Sequence, residues 1–359
     1  NWDSAERVDT VGFIRRKVDR HLANFVARRG DDVAEASDAV QVLHAAIASL
    51  SEAGGKRLRP AFVVWGHVAG GGRIGEPAVL HAAAAVELLH TFALLHDDVM
   101  DRSIVRRGRP TAHRWLTGEH GQHLRDPAWF GVCGAILAGD LAHVWADAMF
   151  DRIDDEPIDR RSACAARRMY AMLRTEVIAG QYLDLHVGCD PRAEEVDAVR
   201  IALLKSARYT ATRPLQIGAA LAGCSHDLLE HIARYGDATG MAFQLRDDVL
   251  GVFGDETVTG KSTADDLREG KRTLLVLRAM RLATHAGRKA LDDALGRTDL
   301  DDTDVARCRE IIASSGALAS VEVAIDTHLE RAIAAASMLE SPAGGALTSL
   351  ALEAARRDR

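Results

Sequence analysis

Three acids stand inside an apolar run at residues 94–101, LLHDDVMD: Asp97, Asp98 and Asp101. Acids in a segment that should bury itself are costly unless they are paired or bound to metal. Asp97 and Asp101 are four residues apart, so on a helix they project from one face about one turn apart. Carboxylates so placed suit Mg²⁺, a hard ion that takes oxygen ligands and shares them with substrate phosphates. A second apolar segment, FQLRDDVLGVFGD, carries Asp247 and Asp248 and could face the first across a cavity to hold further ions. The alternative is purely structural, with these carboxylates paired to Arg102, Arg106 and Arg246. The remaining Asp-Asp pairs, at 31–32, 154–155, 265–266, 292–293 and 301–302, lie in polar surroundings and read as solvated helix ends or loops.

Cations accompany the acids. GGKRLRP sets Lys56, Arg57 and Arg59 behind a glycine pair, without the G-x-x-x-x-G-K-[ST] spacing of a P-loop. Lys and Arg beside a flexible backbone hold phosphate oxygens, Arg in bidentate fashion, although alone they read as a solvated face. RRGRP at 106–110, Lys205, Lys261 in TGK and Lys271 in EGKRT add more. Acids for Mg²⁺ and cations for phosphate, with no nucleotide fingerprint, point to a diphosphate substrate in a helical protein.

The elements that must position these groups read as helices. Alanine, leucine and arginine are abundant, prolines number 8 and aromatics reach only 5%. Residues 78–101 are apolar around most of a helical circumference, as in a helix deep inside a helical protein. Residues 10–29 and 204–223 are amphipathic, the latter with Pro214 as a kink. Strand alternation is not sustained and no solenoid period appears. Breaks fall at SEAGGKRLRP, GGGRIGEP, DRIDDEP, VGCDPRAEE and the polar stretch 255–273. None looks like a long linker, so 1–359 reads as a single all-α domain with its motifs at 54–273.

Composition narrows the function classes. Net charge is −7, so nothing in the overall balance suggests nucleic-acid binding. The five cysteines are far apart and form no C-x-x-C, which excludes a zinc motif and a disulfide framework and fits a reducing cytoplasm. No segment offers the ~20 uninterrupted apolar residues of a bilayer span, so an integral membrane protein is not expected.

The ordered set GGKRLRP, LLHDDVMD, RRGRP, LKS, FQLRDDVLGVFGD, GK and EGKRT closely resembles the trans-isoprenyl (polyprenyl) diphosphate synthases, most of all the bacterial short-chain geranylgeranyl type. The resemblance implies an all-α isoprenoid synthase bundle of roughly ten or more helices around a central cavity. It implies that Lys56, Arg59 and His90, helped by Arg107, bind isopentenyl diphosphate. Asp97, Asp98 and Asp101 would hold two Mg²⁺ against an allylic diphosphate contacted by Arg106. Asp247 and Asp248 would hold a third from the opposite wall, with Mn²⁺ able to substitute. Lys205, Ser206, Gln244, Lys261 and Lys271 would complete the allylic site, and Gln181 and Asp184 of GQYLDL would line the pocket. Asp97, Asp98, Asp101, Lys205 and Asp247 would carry catalysis, in a cytoplasmic homodimer.

Two positions depart from the family pattern. The second motif ends in Gly251 where many relatives have Asp, with Asp255 one turn further on, and the usual Lys-Thr pair is Lys205-Ser206. Product length is expected to depend on Ala93 and Phe92, four and five residues before Asp97, which would floor the pocket. One aromatic beside one small residue favours a C20 product, with C15 second and longer chains third. Terpene cyclisation fits poorly, because the second motif is Asp-Asp and the basic motif is present. A non-catalytic modulatory subunit is the other reading, and Gly251 is the feature that points to it.

Overall fold

The computed structural model describes residues 4–121, 123–254 and 265–356. Those residues are overwhelmingly helical, and their only strands form one two-stranded hairpin. The chain packs as two compact units, Asn1–Ala166 with Ile217–Cys224, and Arg167–Gln216 with Ser225–Arg359.

In the first unit the order is α1 (Ser4–Ala36), α2 (Gln41–Glu52), α3 (Leu58–Ala69), α4 (Pro77–Met100), the hairpin β1 (Val105–Arg106) and β2 (Arg109–Pro110), α5 (Ala112–Glu119) and α6 (Pro127–Asp151). Proline opens α4 and α6, where its missing N–H is no loss. Asp126 caps α6 by accepting from the backbone N–H of Trp129. The α4 sequence has no polar stripe until its last turns, and its residues from Ala78 to Leu89 are buried without a break. It runs through the middle of its unit, against α6, α3 and α1.

Both α4 and the stretch Pro127–Asp155 are in fact long and apolar enough to cross a membrane, contrary to the expectation from uninterrupted apolar runs. The reason is alanine: an alanine-rich helix with isolated polar residues reaches the hydropathy of a span without a continuous block. Packing separates the two, since 83% of the most apolar window of α4 is buried against only 39% for Pro127–Asp155.

The second unit takes α7 (Arg160–Gly188) from its second turn, then α8 (Glu195–Ile201) and a π-helix over Ala202–Thr212 that leads into α9 (Arg213–Leu221), whose residues from Ile217 on count with the first unit. After it come α10 (His226–Phe253), α11 (Asp265–Arg268), α12 (Leu274–Leu282), α13 (His285–Ala294), α14 (Asp302–Ser314), α15 (Ala317–Ser337) and α16 (Ala343–Arg356). Here α10 is central, packed on the π-helix, α15 and α16. Pro214 follows the π-helix directly, and the N–H of Arg213 reaches back five residues to the carbonyl of Arg208. The expected kink is therefore a change of helical register, which accommodates a proline that cannot donate.

One polar cluster holds the entry to α3. Arg57 sits at φ 51° in the left-handed region, strained for a side chain with a Cβ. It donates to Asp19 at 2.7 Å, to the Ser51 carbonyl at 2.7 Å and to buried Glu87 on α4. Burial discourages its charge, but Glu87 and Asp19 more than offset that and hold the guanidinium pKa above its ordinary value. Replacing Arg57 with Met strands the Glu87 carboxylate, and the expected loss is about 3–5 kcal/mol of unfolding free energy. Urea unfolding measures it, with the exposed Arg73→Ala as a control expected to stay within about 0.5 kcal/mol.

Candidate functional site

In the first unit the acids end α4. Asp97 and Asp98 lie in its last turn, and Asp101 is its C-cap, the Asp101 N–H donating to the Asp97 carbonyl at 2.8 Å. A helix C-terminus is already negative, so three carboxylates there raise the local demand for a cation. The hairpin returns one. Arg107 and Gly108 form its turn, both at positive φ as a tight two-residue hairpin loop needs, and this brings Arg106 back over α4. Arg106 donates to Asp98 at 2.6 Å and lies 3.5 Å from Asp97. Asp98 is buried, whereas Asp97 and Asp101 remain partly exposed.

A cationic cluster belongs to the same unit. Lys56 is exposed and Arg59 partly exposed, on either side of the inward-turned Arg57. Arg107 donates to the Gly54 carbonyl at 2.7 Å. Burial, then the charges of Arg59, Arg107, Arg106 and Arg57, push the pKa of His90 well below the ordinary histidine value, so the ring is neutral. Burial also lowers Arg107, where Glu87 opposes the neighbouring arginines. Cations crowded to this degree favour an anion among them.

Lower on α4, Phe92 is buried, stacked on His143 of α6 with ring centroids 4.8 Å apart and edge-on to His96 at 4.8 Å. Ala93 is beside it and partly exposed. The aromatic that the sequence singles out thus belongs to a three-ring cluster, two of whose members were not anticipated.

In the second unit α7, the π-helix and α10 carry the polar groups. A Cβ on Gly180 would lie 2.5 Å from the Lys205 backbone nitrogen, and one on Gly240 would lie 2.4 Å from the Ala207 Cα. Glycine at both positions lets the π-helix touch the backbones of α7 and α10. Lys205 donates to Asp184 at 2.6 Å, and Gln181 is partly exposed one turn earlier on α7. Ser206 donates to the Gln244 carbonyl oxygen, and the Gln244 amide donates to Asp248 at 2.7 Å. Burial, with Asp266 and Asp184 adding repulsion and Gln244 opposing, pushes the Asp248 carboxyl up to about 7. Asp247, its neighbour, is partly exposed.

The 265–266 pair reads from the sequence as a solvated helix end or loop, and there the structure adds a residue. A Cβ on Gly251 would lie 1.9 Å from Asp266 Oδ2, so Asp266 fills the volume that an acid at 251 would use. Lys271, 3.6 Å from Asp266 and paired with Glu269, lies beside it. The missing signal is long-range: nothing local to ADDLREGK tells which turn of α10 Asp266 approaches. Lys261 and Asp255 lie outside the described residues.

Among the described residues no three ligating side chains converge on one point. The donor set is nevertheless carboxylate oxygen throughout, the chemistry of a hard divalent ion that keeps waters and substrate oxygens as its other ligands.

The sequence profile described as "Polyprenyl synthetase" matches residues 40–312. The chain belongs to the polyprenyl synthetase family. It is accordingly a trans-prenyltransferase with the isoprenoid synthase fold. It is 36% identical over 266 residues to the geranylgeranyl diphosphate synthase of Methanosarcina mazei, covering 74% of each chain. It is 34% identical over 315 residues to the geranylfarnesyl diphosphate synthase of Aeropyrum pernix, covering 88% of this chain and 90% of the relative. Among solved structures, the geranylgeranyl pyrophosphate synthase of Corynebacterium glutamicum, complexed with isoprenyl diphosphate and magnesium, superposes with a TM-score of 0.90 at 34% identity. That match covers 97% of this chain and 98% of the other.

The shared volume at 251 and 266 gives a reciprocal test. Gly251→Asp alone and Asp266→Ser alone are each expected to slow prenyl transfer by about tenfold, while the double variant recovers most of the rate, the non-additivity of neighbours that share one space. Steady-state kcat and the Mg²⁺ concentration for half-maximal rate are the measurements.

Proposed function

We propose that this chain condenses isopentenyl diphosphate head-to-tail with an allylic diphosphate and that its main product is the C20 geranylgeranyl diphosphate. The observation that carries the reading is the junction of the α4 acids with the Lys56, Arg59, His90, Arg106 and Arg107 cluster in one unit. Lys56, Arg59, His90 and Arg107 take the diphosphate of isopentenyl diphosphate, with His90 held neutral by burial and the surrounding arginines.

Asp97 and Asp101 hold Mg²⁺ from one helical face. Asp98, buried under Arg106, keeps that guanidinium over the pair, ready for the allylic diphosphate. Asp247 holds a further Mg²⁺, three in all, with Asp248 and Asp266 setting the charge around it, and Mn²⁺ substitutes. Lys205, Ser206, Gln181, Gln244 and Lys271 serve the allylic diphosphate, with Lys261 alongside. When bound, the metal neutralises charge on the leaving diphosphate. The allylic C–O bond breaks, the double bond of isopentenyl diphosphate forms the new C–C bond, and a proton leaves to the released diphosphate. Preoriented Lys and Arg side chains stabilise the leaving group without reorganising. No side chain forms a covalent bond.

Gly251 favoured a non-catalytic subunit. Asp266 in the volume of a residue-251 side chain supports the catalytic reading instead. Five unpaired cysteines fit a reducing cytoplasm.

The α6 surface bears on assembly. Trp129, Leu137 and Val144 are 62%, 55% and 61% exposed, and with Ile136 they recur at helical spacing along one stripe. An apolar stripe of this kind is covered in a stable protein, and a second copy of the chain is the occupant we assign, giving a homodimer with the substrates as its other partners.

Incubation with Mg²⁺, isopentenyl diphosphate and C5, C10 or C15 allylic starters is expected to give a dominant C20 alcohol after dephosphorylation, and EDTA to abolish it. Phe92→Ala is expected to shift the product beyond C20; an unchanged product would remove Phe92 from the floor of the pocket. Leu137→Glu with Val144→Glu is expected to convert a dimer to a folded monomer in light scattering. A wild-type monomer would refute the assembly.

A further inference from the structure

Far from the α4 acids, a second cationic cleft lies in the first unit. His81 is in the first turns of α4, sixteen residues before Asp97, or about 24 Å along the helix axis at 1.5 Å per residue. A cavity of about 150 Å³ is lined by His81 together with His21, Asn24 and Arg28 of α1 and Arg152 at the end of α6. It adjoins a larger one of about 330 Å³ through the shared Arg28 and Arg152, where Phe25 and Ala148 add an apolar wall.

Two features mark the smaller cavity as unsatisfied. His81 is only 6% exposed, yet its Nδ1 has no hydrogen-bond partner among the described residues, while Nε2 lies 3.4 Å from Glu156. The charge around it is also lopsided. Arg29, the neighbouring cation, is neutralised by Asp32 at 2.7 Å. Arg28 makes no hydrogen bond or ion pair among the described residues, and Arg152 has only Asp155 at 3.9 Å. A buried imidazole nitrogen that becomes a donor when the ring is protonated, and two under-compensated guanidiniums, face one small volume, which is the recognition chemistry of a phosphate-class oxyanion.

We propose that this cleft binds such an anion, with His81 as the inner hydrogen-bond donor and Arg28 and Arg152 as the charges that seat it. The prenyl-transfer reading makes inorganic diphosphate, the by-product, and prenyl diphosphates the sources at hand; the site itself does not rest on that reading. Its histidines tie occupancy to pH. Burial, then Arg152, lowers His81, with His21 adding to it and Glu156 opposing. Burial lowers His21 too, as do Arg152, Lys17 and Arg20, while the Lys17 backbone opposes. Both rings are therefore neutral in the empty cleft, and an anion beside them favours their protonated forms.

Binding is measured by calorimetry in EDTA on the full chain. Inorganic diphosphate is the first probe, with wild type, Arg28→Gln/Arg152→Gln, His81→Asn and Arg59→Gln compared. One binding event per chain is expected to survive in Arg59→Gln and to weaken by about tenfold or more in the other two variants. Prenyl transfer by Arg28→Gln/Arg152→Gln, at saturating substrates and low diphosphate, is expected to match wild type, which also reports that it folds. Sulfate, a dianion across the range, is expected to bind more tightly at pH 6 than at pH 8 in wild type but not in His81→Asn. Geranylgeranyl diphosphate separates the sources: equal affinity with inorganic diphosphate assigns the free anion, and tighter binding assigns the lipid form against Phe25 and Ala148. Unchanged diphosphate stoichiometry and affinity in Arg28→Gln/Arg152→Gln would overturn the proposal. Loss of prenyl transfer in the wild type itself would instead overturn the functional reading and leave the cleft standing.

Discussion

Like charge gathered at the end of a buried helix is the constraint around which the first unit is arranged. α4 ends in three carboxylates where its own dipole is already negative. The chain answers with a six-residue hairpin whose left-handed turn, Arg107-Gly108, returns Arg106 onto Asp98 and beside Asp97. Because Asp98 is buried and takes the short contact, Arg106 is anchored inside while its outer edge stays near the exposed acids. One arginine thus serves the fold and the site together.

The second unit repeats the division of labour with different partners. In both Asp-Asp pairs the second residue is buried and the first is partly exposed. Consecutive residues on a helix point about 100° apart, so one of each pair must turn inward when the other faces a cavity. Asp98 is tied to a cation, but Asp248 is tied to a neutral amide that is itself held by Ser206 of the π-helix. Burial, with Asp266 and Asp184 nearby, pushes this carboxyl up to about 7, and the Gln244 amide and the Lys271 charge offset that only in part. A divalent ion held by Asp247 would add positive charge beside it.

Much of this was legible in the chain because the signals were local. The Asp97–Asp101 spacing, the apolar circumference of α4 and the glycine-flanked cations each depend on residues a few positions apart. What escaped was set by long-range packing. Asp266 looked like one more solvated acid until α11 brought it against Gly251. Pro214 announced a kink, but the register change over Ala202–Thr212 depends on Gly180 and Gly240 admitting two other helices. Arg57 looked like the third member of a phosphate-binding trio, and burial with Glu87 makes it the internal brace that orients the other two.

The cation cluster shows what the site costs the free protein. Burial, then the charges of Arg59, Arg107 and Arg106, keeps the His90 ring neutral, and the carboxylate that opposes the arginines at Arg107 is the buried Glu87, already engaged by Arg57. A diphosphate would bring the negative charge that such a cluster favours. A ligand that brings phosphate oxygens returns the stability through binding to the folded state alone. Arg57 differs from its neighbours because its charge is met inside the fold by Asp19 and Glu87, so it braces the loop.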